Sequence, residues 1–176
     1  GTDMTVATDS LDLHIGDIVV YKNHGAGTIT SRETRATKTG DKEIVVITFE
    51  DGLTISLPTD LAQTALRPVA NNAELGRIRR TLKADAPAEP GVWLARSRLT
   101  HAKLMAGESI GLAEIVRDAH SREKSMKEKS SGSSLSLSER DSYKRARRLL
   151  ASEIGHARGT SIHEADEWIG AQLGES

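Results

Sequence analysis

The stretch Ala88-Glu89-Pro90-Gly91-Val92-Trp93-Leu94-Ala95-Arg96-Ser97-Arg98 holds the residue types best suited to act on an anion. Pro90 and Gly91 stop whatever precedes them, and a helical pattern then runs on through Lys103 and Met105. Trp93 therefore falls in a first helical turn, and it is one of only two tryptophans in an aromatic-poor chain. Arg96 and Arg98 follow within about one turn, with Lys103 further along. The unpaired N–H groups of a helix N-terminus favour phosphate, and nearby arginines reinforce that preference. An apolar side chain beside such a patch can wedge against a minor-groove base step. The competing reading is a core tryptophan, because Trp is mostly buried.

A second basic set lies further on. Arg140, Lys144, Arg147 and Arg148 share one helical face, opposed only by Glu139 and Asp141. Such a stripe is either a solvated face or a surface for phosphate. The residues of enzyme chemistry are scattered by comparison. The histidines are His14, His24, His101, His120, His156 and His163, and none pairs with another at metal-ligand spacing. His163-Glu164-Ala165-Asp166-Glu167 lacks the second histidine of a zinc-protease helix. No Walker loop and no G-x-S-x-G elbow occurs, and Gly25-Ala26-Gly27 is too short for a dinucleotide loop. The expectation is a binding protein, not an enzyme, with no cofactor and no metal.

These residues must be positioned by two kinds of element. Residues 13 to 69 read as short strands: Ile18-Val19-Val20-Tyr21, a turn at His24-Gly25-Ala26-Gly27, a loose alternation to Arg35, and a hairpin signal at Lys38-Thr39-Gly40-Asp41. Ile44 to Phe49 is the strongest strand, Leu53 to Leu57 alternates cleanly, Pro58 ends it, and Leu66-Arg67-Pro68-Val69 reads as a closing strand. From Asn71 the period becomes helical, with a stripe of Leu75, Ile78 and Leu82. The next helix carries Val92, Ala95, Leu99 and Ala102 on one face, and the one after it turns Leu112, Ile115, Val116 and Ala119 inward. Ser136 with Glu139 and Ser161 with Glu164 have the spacing of capping boxes that open the last two helices. Trp168 lies on the apolar stripe of the final helix and reads as core.

The fold class is thus α+β in two domains: a small SH3/Tudor-like β-barrel, then a compact bundle of about five α-helices. The expected boundaries are a disordered N-terminus over 1–12, a barrel over 13–70 and a helical domain over 71–176, with a polar serine-rich loop near 121–134 whose beginning is either a frayed helical extension or flexible. Gly1-Thr2-Asp3 ahead of Met4 reads as an expression remnant.

Composition agrees with a binding role. Net charge is −1 overall, but residues 91–150 hold 13 Lys/Arg against 7 Asp/Glu, and residues 151–176 hold 1 against 5. A basic middle between acidic flanks suggests a local anion-binding face. The chain has no cysteine, which excludes disulfides and thiolate metal sites and fits a reducing cytoplasm. No apolar run approaches the ~20 residues of a membrane span.

With both halves read, the chain resembles the CarD/CdnL family of bacterial RNA-polymerase-binding transcription regulators. The resemblance is carried by Ile15-Gly16-Asp17-Ile18-Val19-Val20-Tyr21, His24-Gly25-Ala26, Glu33-Thr34-Arg35, Lys42-Glu43 and Leu57-Pro58. It continues through Glu89-Pro90-x-x-Trp93, Val116-Arg117-Asp118, Leu135-Ser136-x-x-Glu139-Arg140 and Ala146-Arg147. It implies a Tudor-like domain that docks on the polymerase β subunit through Arg32, Thr34, Arg35 and Ser56, with Ser56 near a position that can be basic in the family. It also implies a helical domain that binds promoter DNA through Trp93, Arg96, Arg98, Lys103, Arg140, Lys144 and Arg147. Trp93 would wedge into the minor groove at the upstream edge of the transcription bubble and stabilise the open complex, with little sequence specificity. A monomer at the nucleoid in the cytoplasm is expected. The alternative is an adaptor whose barrel binds a protein and whose Trp93 is helix-packing core.

Overall fold

In the computed structural model, the described residues are 13–22, 24–88, 91–130, 132 and 134–175. The expectations for residues 1–12 and for Glu89-Pro90 lie outside them. The chain divides into two compact units, Gly1–Val69 and Ala70–Ser176.

The first unit is one antiparallel sheet. Its strands are β1 (Ile18–Tyr21), β2 (Gly25–Thr37), β3 (Gly40–Phe49), β4 (Thr54–Pro58) and β5 (Leu66–Pro68), in the order β4-β3-β2-β1-β5. Helix α1 (Thr59–Ala65) links β4 to β5 and packs on both of these edge strands and on β3. This helix was not legible beforehand, because a seven-residue helix is too short to show a period. Leu13, Val19, Ile29, Val45, Ile47, Phe49, Leu57, Ala62 and Leu66 form the core of the unit. The turn expected at His24–Gly27 ends sooner than that, since β2 already begins at Gly25. Gly27 has no room for a side chain: a Cβ there would stand 2.8 Å from Ile47 and Phe49.

A bulge fixes the faces of the long hairpin. Ile29 pairs with Ile47 and Ser31 with Val46, so Thr30 is an extra residue on β2. Before the bulge, odd-numbered residues of β2 face the core. After it, they face away. The hairpin turns through Lys38 and Thr39, and Gly40 after them adopts φ 116, a conformation open to glycine.

The second unit holds five helices: α2 (Asn72–Lys83), α3 (Trp93–Ala106), α4 (Ser109–Lys129), α5 (Leu137–Arg158) and α6 (Ile162–Leu173). Together the two units form the expected α+β arrangement. Asn71 caps α2 by accepting from Glu74 N (2.8 Å), and a full capping box of Ser161 and Glu164 opens α6. Ser136 caps α5 by accepting from Glu139 N, while the Glu139 carboxylate accepts from Ser136 Oγ and from Arg122. The buried stripes of α2, α4, α5 and α6 meet in one core that includes Ile78, Leu82, Leu112, Val116, Leu150, Ile154 and Ile169. Trp168 packs on this core and is stacked from outside by the Arg158 guanidinium, 5.3 Å from its ring centre.

One expectation is corrected in this unit. The polar stretch expected as a loop near 121–134 is helical through Lys129, where α4 ends. Its residues are good helix formers, and the Glu123–Lys127 pair (3.2 Å) supports the extra turns at i,i+4 spacing. An apolar period was lacking because these turns have little core to face. A further feature of this unit is the packing of α3. None of its residues is buried, and Val92, Ala95, Leu99 and Ala102 are exposed. The helix rests on α4 and α5 by its other side, through Arg96, Ser97, Thr100, Lys103 and Leu104.

Candidate nucleic-acid interface

Trp93 is the first residue of α3 and is 49% exposed. Val92, at the N-cap, offers no side-chain hydrogen bond to the first turn. The helix therefore begins with backbone N–H groups that no cap satisfies, and it presents a half-free indole beside them. Gly107, in the left-handed region at φ 65, closes the other end.

The basic residues around Trp93 divide by face, because successive helical residues rotate by about 100°. Arg96 lies on the Trp93 side and donates from Nη1 to the Gly91 carbonyl (3.0 Å), tying the helix to the chain that enters it. Arg98 points away and is exposed. Lys103 turns inward to Glu114 of α4 (3.4 Å). Trp93, Arg96 and Lys103 line a cleft of about 260 Å³ with Arg117 and Arg122 of α4 and with Ser138, Glu139 and Ser142 of α5. Sequence reasoning had not placed Arg117 or Arg122 in any site. They follow the apolar period of α4, and only the crossing of α3 over that helix brings them beside Trp93.

On α5, Arg140, Lys144 and Arg148 are exposed and make no ion pair among the described residues. Arg147 is different. Its Nε donates to Asp166 (2.7 Å), its Nη1 to Tyr143 Oη and Glu175 (both 2.7 Å), and its Nη2 to Glu175 (3.1 Å). The guanidinium is thus an internal clamp joining α5 to α6 and to the residues after it, not an open phosphate ligand. Burial alone would lower its pKa, but hydrogen bonds to Glu175 and Asp166 hold it above the ordinary arginine value. Burial has the opposite sign for the Tyr143 hydroxyl and pushes it up.

The hydrogen bonds from Arg147 hold the Glu175 carboxyl below its usual value. A carboxylate with a depressed folded pKa stabilises the fold above its unfolded pKa, near 4.3, and loses that contribution as pH falls through the folded value. Glu175→Gln is therefore expected to lower the urea midpoint at neutral pH. The gap from the parent should close on acidification below about pH 4. Midpoints compared across that range check this; a gap independent of pH would exclude the ionised contact as its source.

In the first unit the bulge separates the residues singled out for a partner. Arg35 and Ser56 lie on the sheet face away from the core, Arg35 opposite Lys42 and Ser56 opposite Val46. Arg32 and Thr34 lie on the other face, Arg32 opposite Val45. Arg32 is held by the Leu13 carbonyl (2.7 Å) and by both oxygens of Glu43 (2.5 and 2.6 Å). Arg35 is exposed and pairs only with Glu33 (2.9 Å) among the described residues. Tyr21, His24 and Phe49 form a ring cluster with centroids 5.2 to 6.5 Å apart. The two pairs made by Tyr21 are edge-on and the His24–Phe49 pair is tilted, a geometry of packing.

Among the described residues no group of three or more His, Asp or Glu side chains is arranged to hold a metal ion, and no helix is long and apolar enough to cross a membrane. Comparison with known proteins places both units. Residues 13–70 match the CarD-like/TRCF RID domain, and residues 77–170 match the CarD C-terminal domain. The Bacillus subtilis (strain 168) protein named "Putative transcription factor YdeB" is 29% identical over 147 residues, covering 82% of this chain and 92% of that protein. The order of the two matched domains, and their extent over more than half of the sequence, establish that this chain belongs to the CarD family.

Proposed function

We propose that this protein regulates transcription by docking its sheet unit on the RNA polymerase β subunit and stabilising the promoter open complex with its helical unit. Trp93 is the wedge. The observation that carries this reading is a half-exposed indole on the uncapped first turn of a helix with no buried side chain. Core packing does not require an aromatic there. Arg98, Arg140 and Lys144 are the exposed cations that would meet the DNA backbone, with Arg96 and Lys103 nearer the wedge. Such contacts fix register without reading bases, and they make affinity fall with salt. No chemical step is assigned to the protein.

Wedge insertion is easiest where a base step is already distorted, so binding favours opened promoter over closed duplex by the difference in unstacking free energy. In the sheet unit, Arg35, on the same sheet face as Ser56, is the favoured polymerase contact, because Arg32 is engaged by Glu43 and Leu13. Arg35→Ala is expected to weaken binding to the isolated β subunit by about tenfold, as loss of a central interface arginine does. It should also raise the protein concentration needed to lengthen open-complex lifetime. Binding titrations and lifetime measurements on one promoter test both, and an unchanged affinity would remove Arg35 from the interface.

The exposed apolar side chains of α3, Leu94, Leu99 and Met105, also suit a protein partner. On that second reading the helical unit acts as an adaptor, and open-complex lifetime does not change on adding the protein.

A further inference from the structure

The cleft beneath Trp93 holds more donors than its own residues use. The Arg117 side chain is only 12% exposed, and its Nε donates to Asp118 (2.9 Å). Its two terminal amino groups have no hydrogen-bond partner among the described residues. They are not sealed in, because Thr160 Oγ1 is the one buried side-chain polar atom without a partner among those residues. Solvent therefore reaches them, and Arg117 lines the cleft. Arg122 repeats the pattern: its Nε donates to Glu139 (2.8 Å), and its terminal amino groups have no partner among the described residues.

A nearly buried guanidinium with unpaired N–H groups is costly unless an acceptor arrives. The three carboxylates of the cleft are already engaged, Glu114 by Lys103, Asp118 by Arg117 and Glu139 by Arg122. The free valences are donors, so the cleft selects an anion over a cation. Each arginine is held at Nε and presents its terminal pair of nitrogens, a fork that matches two oxygens of one oxyanion. Two forks on one cleft suit a tetrahedral group better than a planar carboxylate. The volume of about 260 Å³ leaves room for an attached group against Trp93, Leu99 and Ile115.

We propose that this cleft binds the phosphate of a phosphate ester, with Arg117 and Arg122 as its donors and the Trp93 ring over the attached group. The ester is either a free nucleotide or a backbone phosphate of nucleic acid. The site does not depend on the wedge reading, since it needs only the cleft.

The test uses the full-length protein with arginine Nε–H and tryptophan indole N–H signals followed by NMR. The probes are inorganic phosphate, adenosine monophosphate and a short forked DNA duplex, each titrated separately. Saturable shifts of the Arg117, Arg122 and Trp93 signals are expected with at least one probe. Affinity should fall about tenfold in Arg122→Gln, the size of one lost charge-assisted hydrogen bond. Saturation by phosphate or the nucleotide identifies a free ester, and saturation by the duplex alone identifies a backbone phosphate. Arg117→Lys keeps the charge and removes the fork, and is expected to weaken binding similarly. Absence of saturable shifts with all three probes would overturn the proposal. So would affinities unchanged in both folded variants. Loss of the effect on open-complex lifetime with the shifts intact would overturn the wedge and leave the cleft standing.

Discussion

Trp93→Ala is expected to abolish the lengthening of open-complex lifetime while leaving the helical unit folded. Two readings of this residue predict opposite balances of effect. A fully buried tryptophan costs about 3–5 kcal/mol when cut to alanine. Trp93 is half exposed on a helix that buries nothing, so its truncation should cost about 1 kcal/mol or less, in the range of surface substitutions. The functional loss is larger. Holding a distorted base step open involves a few kcal/mol of unstacking, and each ~1.4 kcal/mol of lost stabilisation shortens the lifetime about tenfold. The check pairs a urea melt with a lifetime measurement on one promoter with cognate polymerase. A folded variant with a short lifetime fits the wedge. A variant that melts early and keeps its effect when folded would return Trp93 to a packing role. If the parent protein itself does not lengthen the lifetime, the helical unit acts on something other than the open complex.

Arg147→Ala carries the largest expected effect on stability. Its side chain is 14% exposed, and the change leaves Asp166, Glu175 and the Tyr143 hydroxyl without their common donor. Breaking a fully buried ion pair costs about 3–5 kcal/mol. Here both carboxylates are more than a third exposed, at 46% and 37%, so water recovers part of that loss. A cost of about 2–3 kcal/mol follows, read as a lowered urea midpoint. The same change should leave DNA affinity nearly unaltered once measured below the melt, because the guanidinium faces α6 and the residues after it. Lys144→Ala offers the contrast: little change in stability and a shallower salt dependence of DNA binding, since it removes one exposed cation. If Arg147→Ala instead weakens DNA binding in a fully folded protein, the clamp is not its main role.

Much of the architecture was legible in the chain because it rests on local signals. The β-branched run from Ile44 to Phe49 became β3, and Lys38-Thr39-Gly40 became the turn before it. Ser136 and Ser161 became helix caps. Each follows from backbone preference or from a hydrogen bond within a few residues. The short α1 and the polar end of α4 were not legible. The first is too brief for a period, and the second rests on helix propensity without a core-facing stripe.

The candidate sites were only partly written in the order of residues. Spacing alone placed Trp93 in a first turn and grouped Arg140, Lys144 and Arg147 on one face of α5. It could not tell that the apolar side of α3 stays in solvent, because that depends on which side α4 and α5 accept. Nor could it separate Arg147 from its neighbours, since Glu175, far along the chain, takes the guanidinium. The single extra residue Thr30 decides that Arg35 and Ser56 share a face while Arg32 turns to the other. Local sequence fixes the elements because their causes lie within a few residues. Which side chain is free to meet a partner is decided in three dimensions, where contacts between distant segments satisfy some charges and leave others open.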